Sequence, residues 1–369
     1  MNSTRTNSMF APGGAFSMEP IPRLARAVEQ GMRHLLGGIG QGRAPGGRAA
    51  QAEQAPVVAA IPQTLLKAEV EALPAEQGLV ASGHFRVQYA RAQQIPWCLQ
   101  EIGRLREITF RAAGEGTGKA SDIDLFDAYY LHLFVWDTQA EMIVGAYRMG
   151  LADEILSRYG KRGLYTQSLF KYGPRLLETL NPAIELGRSF VRAEYQRNFS
   201  PLLLLWRGIG RFILRSPQYA VLFGPVSISN SYAPISRKLM VDYLRTNNSE
   251  TELARHVKPR RPFRAQRSAV WDEVEFASLK DIEGLSRVIA RIEGDNKGVP
   301  ILLKQYLKLG GQLLGFNADD QFSDALDGLI MIDLRASERL VLARYMGEEG
   351  AVAFLAHHGT EPEFLRWVS

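Results

Sequence analysis

The residues best suited to chemistry stand together in Ala183-Ile184-Glu185-Leu186-Gly187-Arg188-Ser189-Phe190-Val191, where an acid and an arginine lie three apart. Ile184, Leu186 and Val191 favour a strand, and Asn181-Pro182 before them marks a turn, so a strand with a glycine inside it is expected here. Such a glycine marks a bulge or a close approach of backbone. On a regular strand Glu185 and Arg188 point to opposite faces, whereas a bulge at Gly187 brings both to one side. Two readings fit the pair: a structural ion pair at a sheet edge, or an acid placed for proton transfer beside a cation.

The elements that must position these residues can be read on either side. Phe85 to Tyr89 alternates as a first strand, and Ile95 to Phe110 has helical spacing through Leu99, Ile102, Leu105 and Ile108. Gly114-Glu115-Gly116-Thr117-Gly118 reads as a loop, and Asp122, Asp124 and Asp127 fill the polar stretch after it. Tyr129 to Trp136 and Met142 to Met149 form a hairpin, with Arg148 near its far end. Short helices are expected between Leu151 and Leu180, one of them starting at Pro174. Ser200-Pro201 opens a helix to about Arg215, with Ser200 as its cap, and Ala220 to Ile228 is a fifth strand. Ser229-Asn230-Ser231 is read as the cap of a helix from about Tyr232 to Arg245. Asp281 to Ile292 and Pro300 to Leu309 are helices, Gly328 to Leu334 is a late strand, and helices follow Ala336.

Composition sets the bounds. With 369 residues, 46% hydrophobic and 22% charged, the chain can bury a substantial core. A formal charge of +5 is too small for a dedicated nucleic-acid binder but suits an acidic partner. Cys98 is the single cysteine, so no internal disulfide can form and a reducing, cytoplasmic setting is expected. The six histidines show neither a Cys/His cluster nor His-x-x-x-His spacing, so no metal site is expected. Residues 1–80, rich in Gly, Pro, Ala, Ser and Gln, are read as a mostly disordered tail. Within it, Ile21 to Leu36 has the spacing of an amphipathic helix that either lies on an anionic membrane surface or forms only transiently. Residues 81–250 are expected to form the core, and residues 251–369 to complete the same domain with a basic insertion, helices and a strand.

The acid–arginine pair followed by Phe190 and Val191 resembles the Glu-x-x-Arg-Phe-type strand of the acyl-homoserine-lactone synthases and of the related ornithine lyso-lipid N-acyltransferases, sometimes labelled hemolysin-like. Further positions carry the resemblance. Arg106 with Phe110 matches an Arg-x-x-x-Phe on the first helix, Asp124 with Asp127 an Asp-x-x-Asp before the second strand, and Arg148 an arginine closing the third strand. The synthases have a tryptophan soon after that phenylalanine; this chain has glycines, which points to the lyso-lipid acyltransferases. The similarity runs from about Phe85 to Leu334.

The resemblance implies an α/β (α+β) GNAT-like, autoinducer-synthase-like fold: a central mixed, mostly antiparallel sheet with a bulged strand, flanked by helices. It implies transfer of a fatty acyl chain, plain or 3-hydroxylated, from acyl carrier protein to the amine of a small amino acid such as ornithine, making a lyso-aminolipid. An acyl-CoA donor, homoserine-lactone-type chemistry and a non-catalytic lipid- or partner-binding module are the alternatives. No cofactor is expected beyond the acyl-phosphopantetheine co-substrate. On this reading Glu185 is the base, Arg188 binds or organises charge, and Tyr232 protonates the leaving thiolate, a packed tyrosine being the plainer account. Arg106, Phe110, Asp124, Asp127, Arg148, Ser189 and Phe190 are the expected substrate-binding set. Arg192, Arg197, Arg207, Arg211 and Arg215 form either a carrier-protein docking face or a solvated stripe.

Overall fold

The computed structural model describes residues 54–197, 200–263, 281–295, 297–319, 322 and 324–360. The helix expected at Ile21 to Leu36, and Arg264 and Arg267 of the basic insertion, lie outside the described residues.

Among the described residues, eight strands form one sheet in the order β1-β2-β3-β4-β6-β7-β10-β9. They are β1 Gly78–Ser82, β2 Phe85–Arg91, β3 Leu131–Asp137, β4 Met142–Leu151, β6 Ile184–Val191, β7 Val221–Ile228, β9 Gln312–Asp319 and β10 Ala325–Asp333. A two-stranded ribbon pairs β5 Phe170–Tyr172 with β8 Val257–Pro259. All neighbours in the large sheet are antiparallel except β6 and β7, which run parallel. The longer helices are α1 Gln63–Glu71, α2 Pro96–Ala112, α3 Ala152–Tyr159, α4 Pro174–Thr179, α5 Ser200–Arg215, α6 Pro234–Asn247, α7 Ile282–Glu293, α8 Ile301–Lys308, α9 Arg339–Met346 and α10 Glu348–His357. This is the mixed, mostly antiparallel, helix-flanked sheet expected from the sequence.

Alternation along the strands sorts the core. Leu131, Leu133 and Val135 of β3 join the side chains of α5, α6, α7, α9 and α10 on one face of the sheet. Phe134 and Trp136 point to the other face, where α1 and α2 cover them. Farther along that second face, Leu164, Phe170 and Leu176 pack on Phe223, Leu329 and Met331. Between these two second-face clusters lies the polar site.

Residues 54–80 depart from the tail expected of them. Leu66 and Val70 of α1 enter the core, and the Glu69 carboxylate accepts the backbone N–H of Trp97 and of Cys98, both at 2.8 Å. Those N–H groups are left without partners by the start of α2, so the acid caps it and ties the segment down. Strand β1 then extends the sheet edge beside β2. At α6 the helix starts at Pro234, with Ala233 rather than the Ser229-Asn230-Ser231 run as its cap residue, because a proline suits the first helical position.

Candidate active site

Strand β6 carries the expected bulge. Ala146 of β4 pairs with Phe190 and Arg148 with Gly187, so the single residue Tyr147 faces both Arg188 and Ser189. Arg188 adopts a left-handed backbone, φ 52°, which a non-glycine residue rarely holds. The steric need for glycine falls elsewhere. A Cβ on Gly187 would meet nothing within 4 Å, whereas one on Gly145 would lie 2.6 Å from the Phe190 carbonyl oxygen. Gly145 therefore lets β4 follow the kink.

On its other side β6 meets β7 only at Ile184 with Leu222 and Glu185 with Phe223. A Cβ on Gly224 would overlap the Leu186 carbonyl oxygen, so the strands touch there. Pro225 follows and brings no N–H to a ladder. Beyond it the strands splay around a cavity of about 210 Å³. Gly187, Arg188 and Ser189 form one wall, and Pro225, Val226 and Ser227 the other. Phe110, Pro300, Leu302 and Tyr306 give it an apolar lining, while Glu115, Asp319 and Asp327 bring carboxylates. The buried Tyr147 hydroxyl lies beside those of Ser189 and Tyr306.

The bulge turns Glu185 and Arg188 to one side, as expected: the Tyr165 backbone N–H donates to Glu185 Oε2 at 3.1 Å, and Arg188 Nη1 donates to the Tyr165 hydroxyl at 3.0 Å. Behind Arg188 the aspartates and arginines form a buried chain of ion pairs. Arg106 meets Asp127 at 2.8 Å, Arg148 meets Asp124 at 2.6 Å and Asp127 at 3.3 Å, and Arg188 meets Asp122 at 3.1 Å and Asp124 at 3.4 Å. Three arginines thus answer three aspartates. Burial alone would raise the Asp127 carboxyl, but Arg106 and Arg148 outweigh it and hold it well below the usual carboxylate range. Phe126, Tyr130 and Tyr165 surround the Arg148 guanidinium, and Tyr165 and Phe322 flank that of Arg188. His132, buried against this chain, is pushed down to about 4, chiefly by burial and then by Arg106.

The structure places two of the expected catalytic residues, Glu185 and Tyr232, away from the cavity. Glu185 is 1% exposed and lies outside the cavity lining; Thr166 N–H donates to its Oε1 at 2.7 Å, and the Tyr130 hydroxyl and Tyr165 N–H donate to Oε2. Its oxygens are occupied in anchoring the 165–166 turn, and burial raises its carboxyl. Tyr232 is also absent from the lining. Its hydroxyl donates to the Gly298 carbonyl at 2.7 Å, and Lys297 Nζ stands 3.8 Å from its ring centre.

Of the expected binding residues, Phe110 and Ser189 line the cavity, Arg106, Asp124, Asp127 and Arg148 stand behind it, and Phe190 is in the core. Arg197, Arg207 and Arg211 are exposed, Arg192 pairs with Glu194 at 2.6 Å, and Arg215 donates to the Gly78 carbonyl at 2.8 Å. Sequence reasoning missed Asp319, Asp327, Tyr147 and the role of Glu115. The one signal for Asp327 was an acid placed just before the glycine of a strand otherwise apolar through Ile332. Burial pushes Glu115 and Asp327 up to about 7 each, the neighbouring Lys297 opposing it at Glu115 and the Ser227 bond at Asp327.

A bulged strand splays from its parallel neighbour around the cavity, and residues 105–207 match the acetyltransferase (GNAT) domain family. The chain is 32% identical over 266 residues to Glycine N(alpha)-acyltransferase of Phocaeicola vulgatus, covering 69% of this chain and 80% of the relative. It is 33% identical over 258 residues to Glycine N(alpha)-acyltransferase of Bacteroides thetaiotaomicron, covering 65% of this chain and 74% of the relative. To L-ornithine N(alpha)-acyltransferase of Rhizobium meliloti it is 28% identical over 258 residues, 68% of this chain and 77% of the relative. No solved structure matches the chain. The chain belongs to this family of GNAT-fold N(alpha)-acyltransferases. Among the described residues no helix is long and apolar enough to cross a membrane.

Proposed function

We propose that the protein moves a fatty acyl group from the phosphopantetheine thioester of acyl carrier protein to the α-amine of a small amino acid, glycine or ornithine, yielding an N-acyl amino acid. The observation that carries this reading is the cavity between β6 and β7, apolar at Phe110, Leu302 and Tyr306 and acidic at Glu115, Asp319 and Asp327. The apolar side suits the start of an acyl chain and the acidic side a cationic amine. At about 210 Å³ the cavity holds the reacting groups rather than a whole fatty chain, which must run out past Pro300 and Leu302.

Attack by the amine on the thioester carbonyl builds negative charge on oxygen. Backbone N–H groups of the bulge at Arg188 to Phe190 are the donors suited to hold it. Arg188, at the cavity wall, holds the acceptor's carboxylate while Asp122 and Asp124 fix its guanidinium. The buried Arg106–Asp127–Arg148 chain positions that arginine and the hairpin. Exposed Arg197, Arg207 and Arg211 offer an acidic carrier protein a basic face.

The test uses purified protein with the same acyl chain on carrier protein or on CoA, and glycine or ornithine as acceptor, read by mass spectrometry of the product and by thiol release. N-acyl amino acid formed faster from the carrier-protein thioester is the expected result. If neither acceptor is acylated from either donor, the reading fails; equal rates from both donors remove the carrier-protein assignment.

A further inference from the structure

With Glu185 outside the cavity, the reaction needs another proton acceptor. An α-ammonium with a reference pKa of about 8 is mostly protonated at neutral pH and cannot attack until it loses a proton. We propose that Asp327 of β10, oriented by Ser227 of β7, is the base that takes this proton, an inference that rests on the N-acyltransfer reading above.

The geometry is specific. Ser227 and Asp327 are register partners on adjacent antiparallel strands, and Ser227 Oγ donates to Asp327 Oδ1 at 2.7 Å. Both line the cavity, across from the bulge where the thioester carbonyl would sit. Asp327 is 3% exposed, so the cavity is its route to any other partner. The two other lining acids are less suited: Glu115 sits on the loop after α2 and faces Lys297, and Asp319 ends the outermost strand, β9. The groups facing Asp327 are Ser227 on β7, Asp319 on β9, Glu115 on its loop, Arg188 on β6 and Tyr165 on the 165–168 turn. Burial, then Asp319 and Glu115, push its carboxyl up to about 7, while Ser227 and Arg188 pull it down. A base titrating near the working pH is the most effective one.

The step balances. The acceptor's ammonium gives one proton to the Asp327 carboxylate, and the neutral amine forms the C–N bond at the thioester carbonyl. As the C–S bond breaks, a proton from the adduct's nitrogen passes to the departing sulfur. The products are the amide, the pantetheine thiol and a neutral Asp327, which returns its proton to water.

The discriminating experiment compares the preferred amino acid with aminoacetonitrile, an amine already neutral at pH 7 that needs no base. In Asp327→Asn, kcat for the amino acid is expected to fall about 10²- to 10⁴-fold with KM little changed, and kcat for aminoacetonitrile less than about tenfold. Glu115→Gln is expected to lose less activity than Asp327→Asn and to keep the low-pH limb of the kcat/KM profile. In Ser227→Ala that limb moves to higher pH, because a bond favouring the carboxylate is gone. The proposal is overturned if Asp327→Asn acylates the amino acid at a near wild-type rate, if both amines lose activity equally, or if Glu115→Gln shows the selective loss instead. Should Asp327→Asn not fold, the Ser227→Ala profile decides: an unmoved limb overturns the assignment. A wild-type protein that acylates no amino acid sinks the N-acyltransfer reading itself, a different outcome from an active wild type with an active Asp327→Asn.

Discussion

A base held on the wall of a buried cavity leaves a mark on stability that can be measured without any substrate. The Asp327 carboxyl rises from an ordinary 3.8 to about 7 on folding, chiefly through burial. A carboxyl raised in the folded state favours folding only below its unfolded pKa, and that contribution is lost as pH climbs through the folded value. The displacement is worth about 4 kcal/mol in full, of which about 2–3 kcal/mol develops between pH 5 and pH 8. Asparagine does not titrate and can still meet Ser227. Asp327→Asn is therefore expected to be more stable than the wild type at pH 8, with an advantage that grows from pH 5 to pH 8. Urea unfolding of both proteins at the two pH values measures it, and the slope of each transition shows whether the folded state is unchanged. Other raised acids, Glu115 and Glu185, make the wild-type curve fall in the same direction, so the difference between the two proteins is the informative quantity. An advantage that stays flat or shrinks toward pH 8 would refute the argument.

Other perturbations separate holding residues from reacting ones. Glu185→Ala removes the acceptor for Tyr165 N–H, Thr166 N–H and the Tyr130 hydroxyl and should cost roughly 3–5 kcal/mol by thermal or urea melts. Glu185→Gln, where it folds, should keep kcat within a few-fold of wild type; a loss as deep as that of Asp327→Asn would restore Glu185 as the base. Asp127→Asn leaves Arg106 and Arg148 short of a buried counter-charge and should cost about 3–5 kcal/mol at neutral pH. The Asp127 carboxyl is held low, so its contribution is present above about pH 4 and lost as pH falls; an acid titration should show the gap between variant and wild type closing in that direction. Gly224→Ala drives a methyl into the Leu186 carbonyl and should lower the melting temperature sharply, whereas Gly187→Ala, with open space around its Cβ, should change stability by less than about 1 kcal/mol.

Much of the sheet was legible because its strands carry their own pattern. The hairpin at Tyr129 to Met149, the strand with a glycine inside it and the helix opening at Ser200 need only local periodicity and turn chemistry. Strand β9 was missed: Gly315, Asn317 and Asp319 break its apolar alternation, and it holds together by pairing with β10. Helix α1 was hidden in an Ala- and Gln-rich stretch, with two buried side chains and a capping role for Glu69 that only tertiary contact supplies. The cavity acids were invisible for a related reason. Asp327 meets Ser227 across 100 residues of chain, through a late strand inserted between β7 and β9. No local spacing encodes that meeting.

The pair that was legible, Glu185 with Arg188, owes its spacing to a shared target. One end fixes the Tyr165 backbone and the other reaches the Tyr165 hydroxyl, and Tyr165 in turn lines the cavity. The acid thus sets the turn, the turn sets the tyrosine, and the tyrosine with Asp122 and Asp124 sets the arginine at the cavity wall. Glu185 and Asp327 are both buried acids pushed upward by burial, and what divides them is contact. Donors on the 165–166 turn and Tyr130 occupy both oxygens of Glu185, which stands outside the cavity lining. Asp327 has one hydrogen bond from Ser227 and stands on the cavity wall. A charge fully answered by its surroundings holds the fold, and one left partly unanswered beside open space is the one that can trade a proton.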